Sequence, residues 1–169
     1  MNDPVEQHRM TAPHVIRCGV VTISDSRTIA TDTGGQTAID LLVAAGHVIA
    51  ARELIPDEPV RMTDLLESWV GRQDLDAILM TGGTGLSQRD QTYETVSRLL
   101  TKTLPGYGEL FRWLSYQEIG TAAMLSRAVG GLIGNKVVLT MPGSPKAVRL
   151  ALERVIIPEL AHLVREANR

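Results

Sequence analysis

The stretch Ala77-Ile78-Leu79-Met80-Thr81-Gly82-Gly83-Thr84-Gly85 decides the fold class of this 169-residue chain. Its first five residues show no polar alternation. That is the pattern of a strand buried on both faces, as in a parallel sheet covered by helices on each side. Working outward, the upstream segment from Pro59 carries the stripe Met62, Leu65, Leu66, Trp69 and Val70 at i, i+3, i+4, i+7 and i+8, which predicts an amphipathic helix. Before it come a strand over Val48 to Ile55 and a helix over Gly34 to Ala45, with Thr33 as its N-cap and Gly46 as its stop. The first strand spans Val15 to Ser24. Downstream, a helix begins near Thr92 and is expected to break at Pro105-Gly106, and a second covers Glu109 to Ile119. Leu125 to Ile133 stays open between a hairpin and an edge, because of the Gly130-Gly131 pair. Lys136 to Met141 is a strand. The last helix starts at Ser144-Pro145, and Pro158 should kink or reset it. Strands alternating with helices imply a three-layer α/β/α sandwich around a mostly parallel sheet. It forms one domain over residues 15–169, after a polar leader (residues 1–14) expected to be disordered.

Composition narrows the function. Seventeen Lys and Arg against 19 Asp and Glu leave a net charge of −2, which argues against broad electrostatic capture of nucleic acid or an anionic membrane surface. Two Trp, three Tyr and a single Phe are too few rings for a stacking platform, so the core must be aliphatic. One cysteine excludes an internal disulfide framework and a Cys-based zinc site, and Cys18, inside the first strand, reads as a small core residue. No run approaches the ~18 apolar residues of a membrane span, and the amino end lacks the apolar segment of a signal peptide. A cytoplasmic location is expected. His8, His14, His47 and His162 show no metal-ligand spacing, and Ser144 lacks both a nucleophile elbow and a base.

In such sheets ligands bind beyond the carboxyl ends of the strands, where strand order reverses. Four strand-to-helix loops therefore carry the candidates. The first runs from Ser24-Asp25-Ser26-Arg27 to Thr33-Gly34-Gly35 and reads either as a capped polar loop or as an anion-holding helix start. The second, Ile55-Pro56-Asp57-Glu58-Pro59, fixes an acidic pair between prolines, either for a metal or proton or merely to complement the helix dipole. The third is Thr81-Gly82-Gly83-Thr84-Gly85 with Arg89, Asp90 and Thr92. Its glycines read either as a tight structural turn or as a loop that lets a ligand approach the backbone amides, with Asp90 then a candidate to hold Mg²⁺ beside bound phosphates. It is neither a Walker A loop nor a Gly-x-Gly-x-x-Gly turn. The fourth, Pro142-Gly143-Ser144-Pro145-Lys146, offers a helix N-terminus with a nearby lysine, and Ser126-Arg127 adds a hydroxyl and a guanidinium; plain structural readings exist for both. Together the loops point to a phosphate- or nucleotide-handling site with two carboxylates, Asp57 and Asp90.

The run from Thr81 to Gly85 continued by Arg89-Asp90-Gln91-Thr92-Tyr93-Glu94 resembles the MoaB/MogA family of molybdenum cofactor biosynthesis. So do Ile55-Pro56-Asp57, Pro105-Gly106-Tyr107-Gly108-Glu109, Leu125-Ser126-Arg127-Ala128 and Met141-Pro142-Gly143-Ser144-Pro145, in the family's order from about Ile16 onward. Leu114-Ser115-Tyr116-Gln117-Glu118-Ile119-Gly120-Thr121 looks more like the MoaB branch. Tyr93 stands where many MogA-type members have proline. The resemblance implies a molybdopterin adenylyltransferase, which joins ATP and molybdopterin with Mg²⁺ and releases pyrophosphate, and a homotrimer or hexamer. It carries the family's functional aspartates onto Asp57 and Asp90. Nucleotide and phosphate contacts fall on Thr81, Gly82, Gly83, Thr84, Gly85, Ser126, Arg127, Pro142, Gly143, Ser144 and Lys146; pterin contacts are guessed at Ser24, Asp25, Thr33 and Gly34. A catalytically inactive molybdopterin-binding oligomer is the alternative, and hydrolysis of a nucleotide derivative, as in related CinA-like domains, a third reading.

Overall fold

Side chains that alternate between two hydrophobic clusters along three strands build the molecule. In β3 (Ala77–Thr81), Ala77 and Leu79 point into one hydrophobic cluster while Ile78 and Met80 point into another. β6 (Lys136–Met141) divides the same way, with Val137, Leu139 and Met141 against Val138, and β1 (Arg17–Ile23) places Val20 and Val21 on opposite faces. Such two-faced burial requires helices on both sides of the sheet. The structure, a computed structural model, describes residues 15–169; the expected leader lies outside the described residues.

The other strands are β2 (Val48–Ile55), β4 (Lys102–Thr103) and β5 (Gly130–Ile133). Among the described residues they form one sheet in the order β2-β1-β3-β6-β5-β4. The first four run parallel, and β5 and β4 add an antiparallel edge. One face is covered by α1 (Thr33–Ala44), α4 (Pro105–Ile119) and the carboxyl-terminal rod; the other by α2 (Pro59–Val70) and α3 (Thr92–Leu99). The expected α/β/α sandwich is therefore the observed one. Fully buried side chains such as Leu79, Ile78 and Phe111 each contribute about 1.5–3 kcal/mol through burial. Cys18 is one of these core residues, its thiol pushed up to about 12 by burial and then by Asp76. No helix among the described residues is long and apolar enough to cross a membrane.

Local expectations are corrected at several points. The N-cap of α1 is Asp32, not Thr33: its carboxylate accepts from the Gly35 amide at 2.9 Å. Pro105 does not break a helix but opens α4, because a first-turn proline lacks only a donor that has no partner there anyway. The ambiguous stretch resolves into a 3₁₀ turn over Gly120–Leu125 followed by β5, which pairs with β6 through a tight turn at Gly134. Ser144 caps α5 (Pro145–Ala151) by accepting from the Ala147 amide at 3.2 Å. Pro158 leaves its mark just upstream. A π turn over Leu152–Ile156, in which the Ile157 amide reaches back to the Leu152 carbonyl, joins α5 to α6 (Ile157–Ala167).

Candidate functional site

The sheet order places the reversal between β1 and β3, since the chain leaves β1 for β2 on one side and β3 lies on the other. Above their carboxyl ends lies a cleft of about 430 Å³. Its walls come from the loops after β1, β3 and β6: Ser24, Ser26 and Arg27 from the first, Gly82 to Gly85 and Asp90 from the second, Pro142 and Gly143 from the third. Leu125 and Ser126 close it from the 3₁₀ turn.

The glycine loop is built for backbone exposure. Gly82 has φ +104 and Gly83 φ +63, and a methyl on Gly82 would overlap the Ile23 carbonyl. One on Gly83 would overlap Asp57 and the Thr92 hydroxyl. Only glycine meets both demands. The Gly82 amide is tied to the Met141 carbonyl at 3.0 Å, whereas among the described residues the amides of Gly83, Thr84 and Gly85 have no acceptor in the protein. Three unpaired donors lining a cleft form a ready anion site.

Two carboxylates flank this loop from different directions. Asp90 lines the cleft and accepts from the Ser87 amide at 3.1 Å. Asp57, 5% exposed, stands behind Gly83 and accepts from the Gln91 amide at 3.0 Å. Burial raises its pKa above the ordinary carboxylate value, the Gln91 amide opposes that, and the charges of Asp90 and Asp25 raise it further. Asp25 accepts from the Asp57 amide at 3.0 Å and holds Arg89 at 2.6 and 2.8 Å, contacts that bring its pKa down to about 2. Among the described residues no three metal-binding side chains converge.

Residues 19–162 match the family model described as "Probable molybdopterin binding domain". The chain is 51% identical over 163 residues to molybdenum cofactor biosynthesis protein B of Halalkalibacterium halodurans, covering 96% of each chain. It belongs to the molybdenum cofactor biosynthesis protein B family. A crystal structure of a molybdenum cofactor biosynthesis protein B superposes with a TM-score of 0.90 at 49% identity, over 94% of this chain and 99% of that one. The tungsten cofactor synthesizing protein MoaB from Pyrococcus furiosus gives 0.83 at 32%, over 94% and 100%. The family resemblance, read from the loop motifs, and its MoaB branch, read from Leu114 to Thr121, are thus both met.

Within this family member the anticipated residues separate into groups. Ser24, Thr81, Gly82, Gly83, Thr84, Gly85, Asp90, Ser126, Pro142 and Gly143 share the cleft. Asp57 is not among the residues that line the cleft and lies against Gly83. Ser144 and Lys146 line a separate hollow of about 160 Å³, and Lys146 lies 3.6 Å from Glu118. Thr33 is exposed, and Gly34 abuts the Gly143 carbonyl. Arg127 turns to the loop's backbone instead of the cleft: its guanidinium donates to the carbonyls of Thr84 and Gly85 and to Glu94, and it stacks over Tyr93 at 5.3 Å. Sequence reasoning left Arg27 and Ser26 outside its candidate set, although both stand in the first loop between residues it singled out.

Proposed function

We propose that this chain acts in molybdenum cofactor biosynthesis as a molybdopterin adenylyltransferase, converting molybdopterin and ATP to adenylyl-molybdopterin and pyrophosphate. Its homologues support the cofactor-pathway role. The observation that carries the reaction type is the cleft itself: three unpaired loop amides beside Asp90, at the reversal point of the sheet.

The terminal phosphate oxygen of molybdopterin attacks the α-phosphorus of ATP in line. A new P–O bond forms, the bond from the α-phosphorus to the bridging oxygen breaks, and pyrophosphate leaves with that electron pair. The nucleophile is largely ionised near neutral pH, so no side chain has to remove a proton. Catalysis then consists of alignment and neutralisation of negative charge. The amides of Gly83, Thr84 and Gly85 would hold phosphate oxygens, and Thr81, whose hydroxyl donates to the Pro142 carbonyl at 3.1 Å, locks the β3 and β6 loops together. Asp90, in the cleft wall, would be the direct carboxylate ligand of a divalent cation, and Asp57, behind Gly83, would add its negative charge from the far side of the loop; Mg²⁺ normally takes one or two carboxylates and completes its shell with phosphate and water. Bound there, Mg²⁺ would supply charge neutralisation at the phosphate oxygens.

Self-association into a trimer or hexamer belongs to the same reading. Leu110, Trp113, Tyr116 and Ile119 are exposed at three-residue intervals on α4, followed by Met124 and Leu125, an apolar run that suits an interface. A molybdopterin binder without turnover is the second reading, favoured by the position of Asp57 behind Gly83 instead of in the cleft wall. Pyrophosphate release from ATP and Mg²⁺, with and without molybdopterin, separates them. Release that requires molybdopterin and is lost in Asp90→Ala and Asp57→Ala is the expected result. Molybdopterin binding without release in the wild type would leave the binder.

A further inference from the structure

The cleft is electrically divided. Among the described residues that line it, Asp90 is the one carboxylate and Arg27 the one cation. Asp90 belongs to the loop after β3, and Arg27 to the loop after β1. The Arg27 guanidinium is held in place: Nη1 donates to the Gly143 carbonyl at 3.1 Å and lies 3.8 Å from Asp32 Oδ1. Gly34 makes room for this arrangement, because a methyl there would come within 2.5 Å of the Gly143 oxygen and 3.3 Å of Nη1.

Asp32 does not cancel the Arg27 charge. Its fully buried carboxylate already accepts from the Gly35 amide at 2.9 Å, from the Thr22 hydroxyl at 2.7 Å and from Arg52 at 3.3 Å. Arg27 remains 32% exposed at the cleft, and among the described residues its Nε and Nη2 have no acceptor. A guanidinium is a planar fork of five donors. With one edge fixed on Gly143, the rest is left to an oxyanion entering beside the unpaired amides of Gly83, Thr84 and Gly85. Restraint of the side chain also lowers the entropy lost on binding.

We infer that Arg27 is a phosphate-binding residue of this cleft, receiving a phosphate dianion on the wall formed by the loop after β1. The identity of the phosphate compound rests on the adenylyltransferase reading, in which both ATP and molybdopterin carry one; the binding itself does not. The test is calorimetric titration of the full chain with ATP in the absence of metal and, separately, with molybdopterin. Wild type, Arg27→Gln and the exposed control Arg149→Gln are compared, with circular dichroism confirming the fold. Arg27→Gln should weaken one or both probes on the order of 10- to 100-fold and flatten the salt dependence, with Arg149→Gln unchanged. Loss for ATP alone places the nucleotide there, loss for molybdopterin alone the pterin phosphate, and loss for both a shared subsite. If Arg27→Gln does not fold, Arg27→Met, which keeps the apolar stem, carries the same comparison. Equal affinities of wild type and the folded variant for both probes, or a wild type that binds neither, overturn the inference. A wild type that needs Arg27 for binding yet releases no pyrophosphate would discard the adenylyltransferase and leave Arg27 standing.

Discussion

Replacing Gly82 by alanine isolates the constraint on which the cleft depends. The residue has φ +104, a conformation that costs an L side chain about 1–2 kcal/mol. The added methyl would also overlap the Ile23 carbonyl oxygen and lie 3.2 Å from its carbon, at the buried end of β1. Neither partner is the tip of a flexible side chain, so the overlap must be relieved by moving backbone, an overpacking cost of about 1–3 kcal/mol. The expected destabilisation is about 2–5 kcal/mol, or a fall in Tm of roughly 5–15 °C for a chain of this size. Two other glycines calibrate the terms. Gly46 has φ +86 with nothing within 4 Å of an added methyl, so Gly46→Ala should show only the conformational part. Gly106, in the first turn of α4 without a positive φ and also in open space, should become neutral or more stable by about 0.4–1 kcal/mol. Urea unfolding of the three variants, with unchanged slopes, measures each directly. A Gly82→Ala midpoint shift no larger than that of Gly46→Ala would refute the steric argument.

The remaining predictions concern charge and anchoring. Burial and the neighbouring carboxylates raise the Asp57 pKa, so the folded state retains a proton that the unfolded chain has lost, and the charged group costs stability as pH rises above the ordinary carboxylate range. Asp57→Asn should therefore raise Tm at neutral pH while lowering pyrophosphate release at least ~10-fold; a fall in Tm contradicts the sign. His47 behaves oppositely: burial lowers its pKa, and its Nδ1 accepts from the Ile16 amide at 3.3 Å. The unfolded chain then binds a proton that the folded state refuses, so stability should decline as pH falls below about 6.5, and His47→Gln should flatten urea midpoints between pH 7.5 and 5.5. Arg127→Ala removes the donor that holds the carbonyls of Thr84 and Gly85 and should cost about 2–3 kcal/mol. Faster hydrogen exchange at the bonded amides of Ser87, Arg89 and Asp90 is the accompanying sign, and unchanged exchange there would show the loop to be self-supporting.

Local pattern was enough to read the central strands, the amphipathic stripe of α2 and the anion-prone glycine loop, because burial periodicity and backbone freedom are written residue by residue. The same holds for Ser144 as a cap. The edge of the sheet was not legible: β4 is two exposed residues, Lys102 and Thr103, with no periodicity to register. Gly130 and Gly131 carried no sign of their role either. A methyl on the first would strike Leu139, and one on the second the Lys102 carbonyl, contacts that exist only after the strands pair. At the site, the chain order could nominate Asp57, Asp90 and Arg127 but not say which faces the cleft. That depended on how the loops after β1, β2 and β3 converge, which is set by the sheet order β2-β1-β3-β6. Convergence turned Asp57 behind Gly83, committed Arg127 to loop carbonyls and left Arg27 as the cation of the cleft. Side-chain type is a local property of the sequence, whereas the direction in which a charge points belongs to the assembled sheet.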